Sequence, residues 1–109
     1  MASYLERFNT VLLRELHEVL RKEHGPQAVR ITFIAAEAAS NLAEAKIYYS
    51  VIGTAEDRAA AKKNLAKWNR SLRHGLASSG FFKNAPRLIF IQDDSIEKGS
   101  RVTTLLDSF

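Results

Sequence analysis

From position 40 to 52 the chain reads S-N-L-A-E-A-K-I-Y-Y-S-V-I, and from Ala43 onward its residues alternate. Ala43, Ala45, Ile47, Tyr49 and Val51 share one face, and Glu44, Lys46, Tyr48 and Ser50 share the other. Period two marks a strand with one buried face, and Ile, Tyr and Val suit a pleated, half-buried surface. The neighbouring segments restrict the fold further. Residues 29–36 form a second alternating run, with Val29, Ile31, Phe33 and Ala35 on one face. Only residues 37–42 separate the two runs, which predicts an antiparallel hairpin. Downstream, a long helical pattern leads to a third apolar run at 87–92. A strand, a helical crossover and another strand give a parallel pair with a right-handed connection. The stretch 43–52 is therefore expected to be the middle strand of a three-stranded mixed sheet.

Two helical patterns flank this hairpin. Over residues 3–24, Leu5, Phe8, Leu12, Leu16 and Val19 recur at spacings of three and four, with Val11 and Leu20 widening the stripe. Ser3 suits the N-cap and Gly25-Pro26 the stop. Such a helix is marginal in isolation, so its stripe must pack on a partner. The face carrying Ala45, Ile47 and Tyr49 is the candidate. The second pattern begins after Thr54, a capping residue followed by Glu56 and Asp57. Its stripe is Ala61, Leu65, Trp68, Leu72 and Leu76, and 77–80 ends it. Asn69, Arg70 and Ser71 are weaker helix formers than the alanine-rich start, which leaves a bend or a break into two helices open there. Pro86 stands at the entrance of the last strand. The order is helix, strand, strand, helix with a bend and a further helix, strand. That is an α+β domain with its helices on one face of the sheet, spanning 1–109 with a tail at 96–109.

Charge is where the sequence speaks of function. The chain has 16 basic and 12 acidic residues and a pI near 9.6, which alone is a weak pointer to nucleic acid. Its distribution says more. From Arg58 to Gln92 there is no acid, while Arg58, Lys62, Lys63, Lys67, Arg70, Arg73, Lys83 and Arg87 all fall there. The remainder is net acidic. Lysines and arginines on one helix face can track a phosphate backbone, and such contacts supply the sequence-independent part of nucleic-acid affinity. The bland reading is a solvated face that keeps the chain soluble, a common feature of helices.

Other signals are weaker. The absence of cysteine removes disulfides and thiolate metal sites and fits a reducing cytoplasm. No apolar run is long enough to span a membrane, and the first residues do not read as a signal peptide. His17, His24 and His74 lack ligand spacing, so no metal is expected. Gly75 and Gly80 have the separation of a phosphate loop, but Phe81-Phe82 follow instead of Lys and Ser/Thr, and a helix precedes. Asp93-Asp94 reads as a turn. Trp68 lies on the apolar stripe and is expected in the core. Tyr48, beside Lys46, is better placed for base stacking.

Two motifs carry a resemblance. S-N-L-A-E-A-K-I-Y-Y at 40–49 and P-R-L-I-F-I-Q-D-D-S-I-E-K-G-S-R-V-T-T-L-L at 86–106 are similar, in this order and spacing, to those of the ribosome-binding factor A family, which has a type II KH-like fold. The resemblance covers about 5–107, nearly the whole chain. The family's Ala-x-Gly kink falls here on Trp68-Asn69-Arg70, so a bend there would be made without glycine. The resemblance implies binding to the small ribosomal subunit near its rRNA during late maturation, often linked to growth in the cold. It implies neither catalysis nor a cofactor.

The expectation is a monomeric assembly factor whose Lys62, Lys63, Lys67, Arg70, Arg73 and Lys83 contact phosphates, with Asn69 offering hydrogen bonds to RNA. The alternative is an α+β protein-interaction module that binds a ribosomal protein or pairs through its sheet edge. Salt dependence separates the two: phosphate contacts give about one unit of log–log slope per neutralised charge, and an apolar interface gives a shallow slope.

Overall fold

The computed structural model describes residues 3–93. Ser3 caps α1 (Tyr4–His24), its hydroxyl accepting the Glu6 amide at 3.1 Å. Gly25 and Pro26 end the helix as expected, in a single 3₁₀ turn, Gly25–Gln27. Then come β1 (Ile31–Ala38), β2 (Glu44–Val51), α2 (Ala55–Ser78) and β3 (Arg87–Gln92). The sheet order is β1-β2-β3, with β1 antiparallel and β3 parallel to the central β2. This is the three-stranded mixed sheet read from the sequence, with the expected strand at its centre.

The inner face of the sheet carries Ile31, Phe33, Ala45, Ile47, Tyr49 and Leu88. Leu12, Leu16 and Leu20 of α1 and Leu65, Trp68, Leu72 and Leu76 of α2 close over it as one core. Each large apolar side chain so buried contributes about 1.5–3 kcal/mol. Side chains of α1 also fasten the sheet's near edge. The Asn9 carboxamide oxygen accepts the Ala38 amide at 2.9 Å, and His17 Nε2 lies 2.9 Å from the Phe33 carbonyl.

Two details correct the sequence reading. First, β1 starts two residues later than the alternating run: Val29 lies outside it and is 79% exposed. Phe33 pairs with Tyr49 and Ala35 with Tyr48, so Ile34 is an extra residue bulging from the ladder. A bulge reverses the alternation beyond it. Ala36 and Ala38 thus face the core side, not Ala35. Second, α2 is one uninterrupted helix of 24 residues where a kink and a second helix were expected. Nothing at 69–71 removes a backbone donor, and buried Trp68 and Leu72 hold both sides of that turn to the same core. Ser71 donates to its own helix, at the Trp68 carbonyl (3.0 Å). The tail at 96–109 lies outside the described residues, as does the end of the 86–106 motif.

Candidate nucleic-acid interface

Three features fix α2 in place. At its start, Thr54 and Asp57 form a reciprocal capping box: the Thr54 hydroxyl accepts the Asp57 amide at 3.2 Å, and the Asp57 carboxylate accepts the Thr54 amide at 2.8 Å. Along its length, the stripe from Ala61 to Leu76 is buried. Toward its end, Gly75 abuts α1: a Cβ at that position would stand 2.5 Å from Val19 Cγ1 and 2.7 Å from Glu23 Oε2. The face left outside carries Lys62, Lys63, Lys67, Arg70 and Arg73, all exposed.

The segment after α2 returns along this face. Phe82, Ala85 and Pro86 are buried, which pins the turn between them and leaves Lys83 and Asn84 in solvent. Phe82 packs edge-on against Phe8, with ring centres 5.5 Å apart. Its neighbour Phe81 stays 59% exposed, 5.3 Å beneath the Arg14 guanidinium. Arg73 joins helix and turn, its Nε donating to the Ala85 carbonyl at 3.2 Å. Between them lies an open cleft of about 720 Å³, lined by Lys67, Arg70, Arg73, His74, Lys83 and Asn84 among others.

The structure thus sorts the expected site residues. Lys67, Arg70, Arg73 and Lys83 share the cleft. Lys62 and Asn69 line a separate, smaller groove of about 400 Å³ with Phe90, Ile91 and Gln92 of β3. Asn69 is half-buried, and its amide donates to the Leu88 carbonyl at 3.1 Å. One N–H of its carboxamide is thus committed to the sheet, and its Oδ1 has no protein partner among the described residues. Lys63 belongs to neither groove and stands on the outer crest, two turns from Arg70. His74, Ser71 and Asn84 went unnoticed as site residues. The spacing 67, 70, 71, 74 places the first two on the Lys67 and Arg70 face, which could have found them. Asn84 arrives from a loop, and no period announces it.

Several arginines elsewhere on the surface are charge-paired. Arg14 pairs with Glu15 at 3.1 Å, Arg87 with Glu44 at 2.7 Å, Arg30 with Asp57 at 3.8 Å, and Arg21 with Glu18. Among the described residues, no carboxylate lies within ion-pair distance of Lys62, Lys63, Lys67, Arg70, Arg73 or Lys83. Like charges three or four positions apart, such as Lys63 with Lys67 and Lys67 with Arg70, cost a helix about 0.2–0.5 kcal/mol per pair. The arrangement therefore opposes helix stability. A larger cleft of about 930 Å³ between α1 and α2 mixes Glu15, Glu18 and Glu23 with Arg21 and Lys22, and has no single sign of charge.

Trp68 with His24, and His17 with Phe33, pack in and beside the core. Trp68 is in the core as expected, its ring stacked on His24 with centres 4.1 Å apart. His17 packs beside Phe33 at 5.3 Å. Tyr48 is half-buried on the outer sheet face. Among the described residues no group of three His, Asp or Glu could hold a metal ion.

The sequence profile of the family described as Ribosome-binding factor A matches residues 5–106. The chain belongs to that family. A ribosome-binding factor A of Opitutus terrae is 30% identical over 107 residues, covering 98% of this chain and 88% of the relative. One from Lactobacillus delbrueckii subsp. bulgaricus is 35% identical over 99 residues, covering 87% and 81%. The crystal structure of ribosome-binding factor A from Thermus thermophilus superposes with a TM-score of 0.69 at 22% identity, over 81% of this chain and 93% of that one. A homology model of the Thermus thermophilus factor, fitted into a cryo-EM map of a 30S complex, gives 0.63 at 23% identity, over 76% and 88%. At these identities the two structures show the shared fold. Of the ribosome-binding factor A motifs, 40–49 forms the hairpin loop and most of β2, and the start of 86–106 forms β3.

Proposed function

We propose that this chain binds the small ribosomal subunit through its rRNA and acts during subunit maturation and 16S rRNA processing as a binding factor, not a catalyst. It would work as a monomer in the cytoplasm, as one KH-like unit. The observation that carries this reading is the group Lys67, Arg70, Arg73 and Lys83, unpaired with carboxylates among the described residues and gathered around one cleft. Family membership supports the ribosomal target, and the Thermus thermophilus relative was fitted into a 30S complex. Recognition would rest on shape and charge, because phosphate contacts set position and carry no sequence information.

Charge reversal on the crest and in the cleft tests this. Lys63→Glu combined with Arg70→Glu is expected to abolish cosedimentation with small subunits while leaving circular dichroism and melting temperature nearly unchanged. Wild-type affinity should fall with salt at a log–log slope of about 0.7–0.9 per neutralised phosphate. Unaltered cosedimentation of the double variant rejects this surface. A shallow slope would instead favour an apolar protein partner.

A further inference from the structure

The cleft beside α2 is more than a backbone-only contact requires. A convex crest such as the one bearing Lys63 is sufficient to touch the phosphates of a folded RNA. An open, shallow cleft of about 720 Å³ between a helix and a pinned turn adds side walls that a plain crest lacks. An unpaired base can lay its face against these walls, whereas a base stacked in a duplex presents only its edge.

The lining also differs from a plain cationic surface. Arg73 has its Nε committed to the Ala85 carbonyl, which tethers the guanidinium at the wall of the cleft. Among the described residues its terminal nitrogens have no other partner. A tethered guanidinium offers a flat face on which a base can stack, which a lysine cannot. The Asn84 carboxamide and the His74 imidazole make no side-chain hydrogen bond among the described residues, and both supply donor and acceptor capacity. Lys67, Arg70 and Lys83 place positive charge at the rim.

The geometry points to a seat for one unpaired nucleotide of an RNA. Its flanking phosphates meet Lys67, Arg70 and Lys83, its base stacks on the Arg73 guanidinium, and its edge is read by Asn84 and His74. This rests on the RNA-binding reading above and adds to it the kind of RNA preferred: a strand with an extruded base over one that is fully paired.

The test uses the full chain and two RNAs in fluorescence anisotropy at one salt concentration. One is a short, fully paired duplex. The other is the same duplex with a single unpaired adenosine. The wild type is expected to bind the bulged RNA about tenfold more tightly, the effect of one stacked base. Asn84→Ala and Arg73→Lys, the latter keeping the charge but not the plane, should bring the ratio of the two affinities close to one. Lys63→Glu, on the crest, should weaken both RNAs and keep the ratio. If Arg73→Lys fails to fold by circular dichroism, Asn84→Ala decides alone. Equal wild-type affinity for the two RNAs overturns the nucleotide seat and leaves the RNA-binding reading standing, as does a ratio that survives Asn84→Ala. Failure to bind either RNA overturns both.

Discussion

Gly53 joins β2 to α2 with φ at +134°, and a Cβ built there would stand 2.1 Å from Asp57 Oδ2. Only glycine sits in that backbone region without strain and leaves room for the cap. Gly53→Ala should therefore destabilise the chain by about 1–3 kcal/mol, read as a lower urea midpoint with an unchanged slope. Asp57 itself has its carboxyl held below the usual 3.8, first by the Thr54 amide and then by the Thr54 hydroxyl, with smaller help from Arg30 and Arg58. A carboxyl that titrates lower in the folded chain contributes its full stability above its unfolded value and loses it as pH falls through the folded one. Asp57→Asn should thus flatten the acid limb of a melting-temperature profile taken from about pH 6 to about pH 2. An unchanged limb would mean that the cap contributes nothing in solution. Leu42 shows the opposite compromise, a leucine at φ 60°. The left-handed conformation costs about 1–2 kcal/mol, offset because its side chain packs against the core.

Between elements, the contact at Gly75 decides how closely α1 and α2 approach. Alanine there would improve helix propensity by about 1 kcal/mol. Its methyl would also press on Val19, a buried side chain with little room to give. Overpacking costs about 1–3 kcal/mol, so the clash wins, and Gly75→Ala should lower thermal stability. Adding Val19→Ala should recover part of the loss, a coupling that a double-mutant cycle measures. A stabilised single variant would show that the helices stand further apart. The edge of β3 is also managed between elements. Asn69 and Arg73 donate to the carbonyls of Leu88 and Ala85. This commits one N–H of Asn69 and the Nε of Arg73, two residues expected to meet RNA. The gain is an edge less open to a second strand, which weighs against association through it.

At the scale of the whole molecule, one core joins all five elements, and Trp68, the sole tryptophan, is buried in it at 7% exposure. Its emission should shift to the red on unfolding in step with circular dichroism, and stay in place when RNA is added. A shift on adding RNA would put the ligand at the core side of α2. The sheet was readable because period two persists through 43–52 and because a helical crossover of that length allows only a parallel partner for β3. The position of β1 was not, since alternation has no mark for an extra residue. The cations were readable from helical spacing. Their gathering was not, because Lys83 and Asn84 reach the cleft by way of a turn whose course depends on the burial of Phe82 and Pro86. The unbroken α2 was hidden for a related reason: Asn69 and Ser71 lower local propensity, and the core on either side of them overrides it.

The bulge at Ile34 makes chain length locally negotiable. Phe33 already faces inward and Ala35 outward, so deleting Ile34 would leave a regular ladder with every other residue on its present side. Deleting Thr32 or Phe33 instead would send neighbouring core groups into water. Homologous chains with this strand one residue shorter should therefore align with their gap at Ile34.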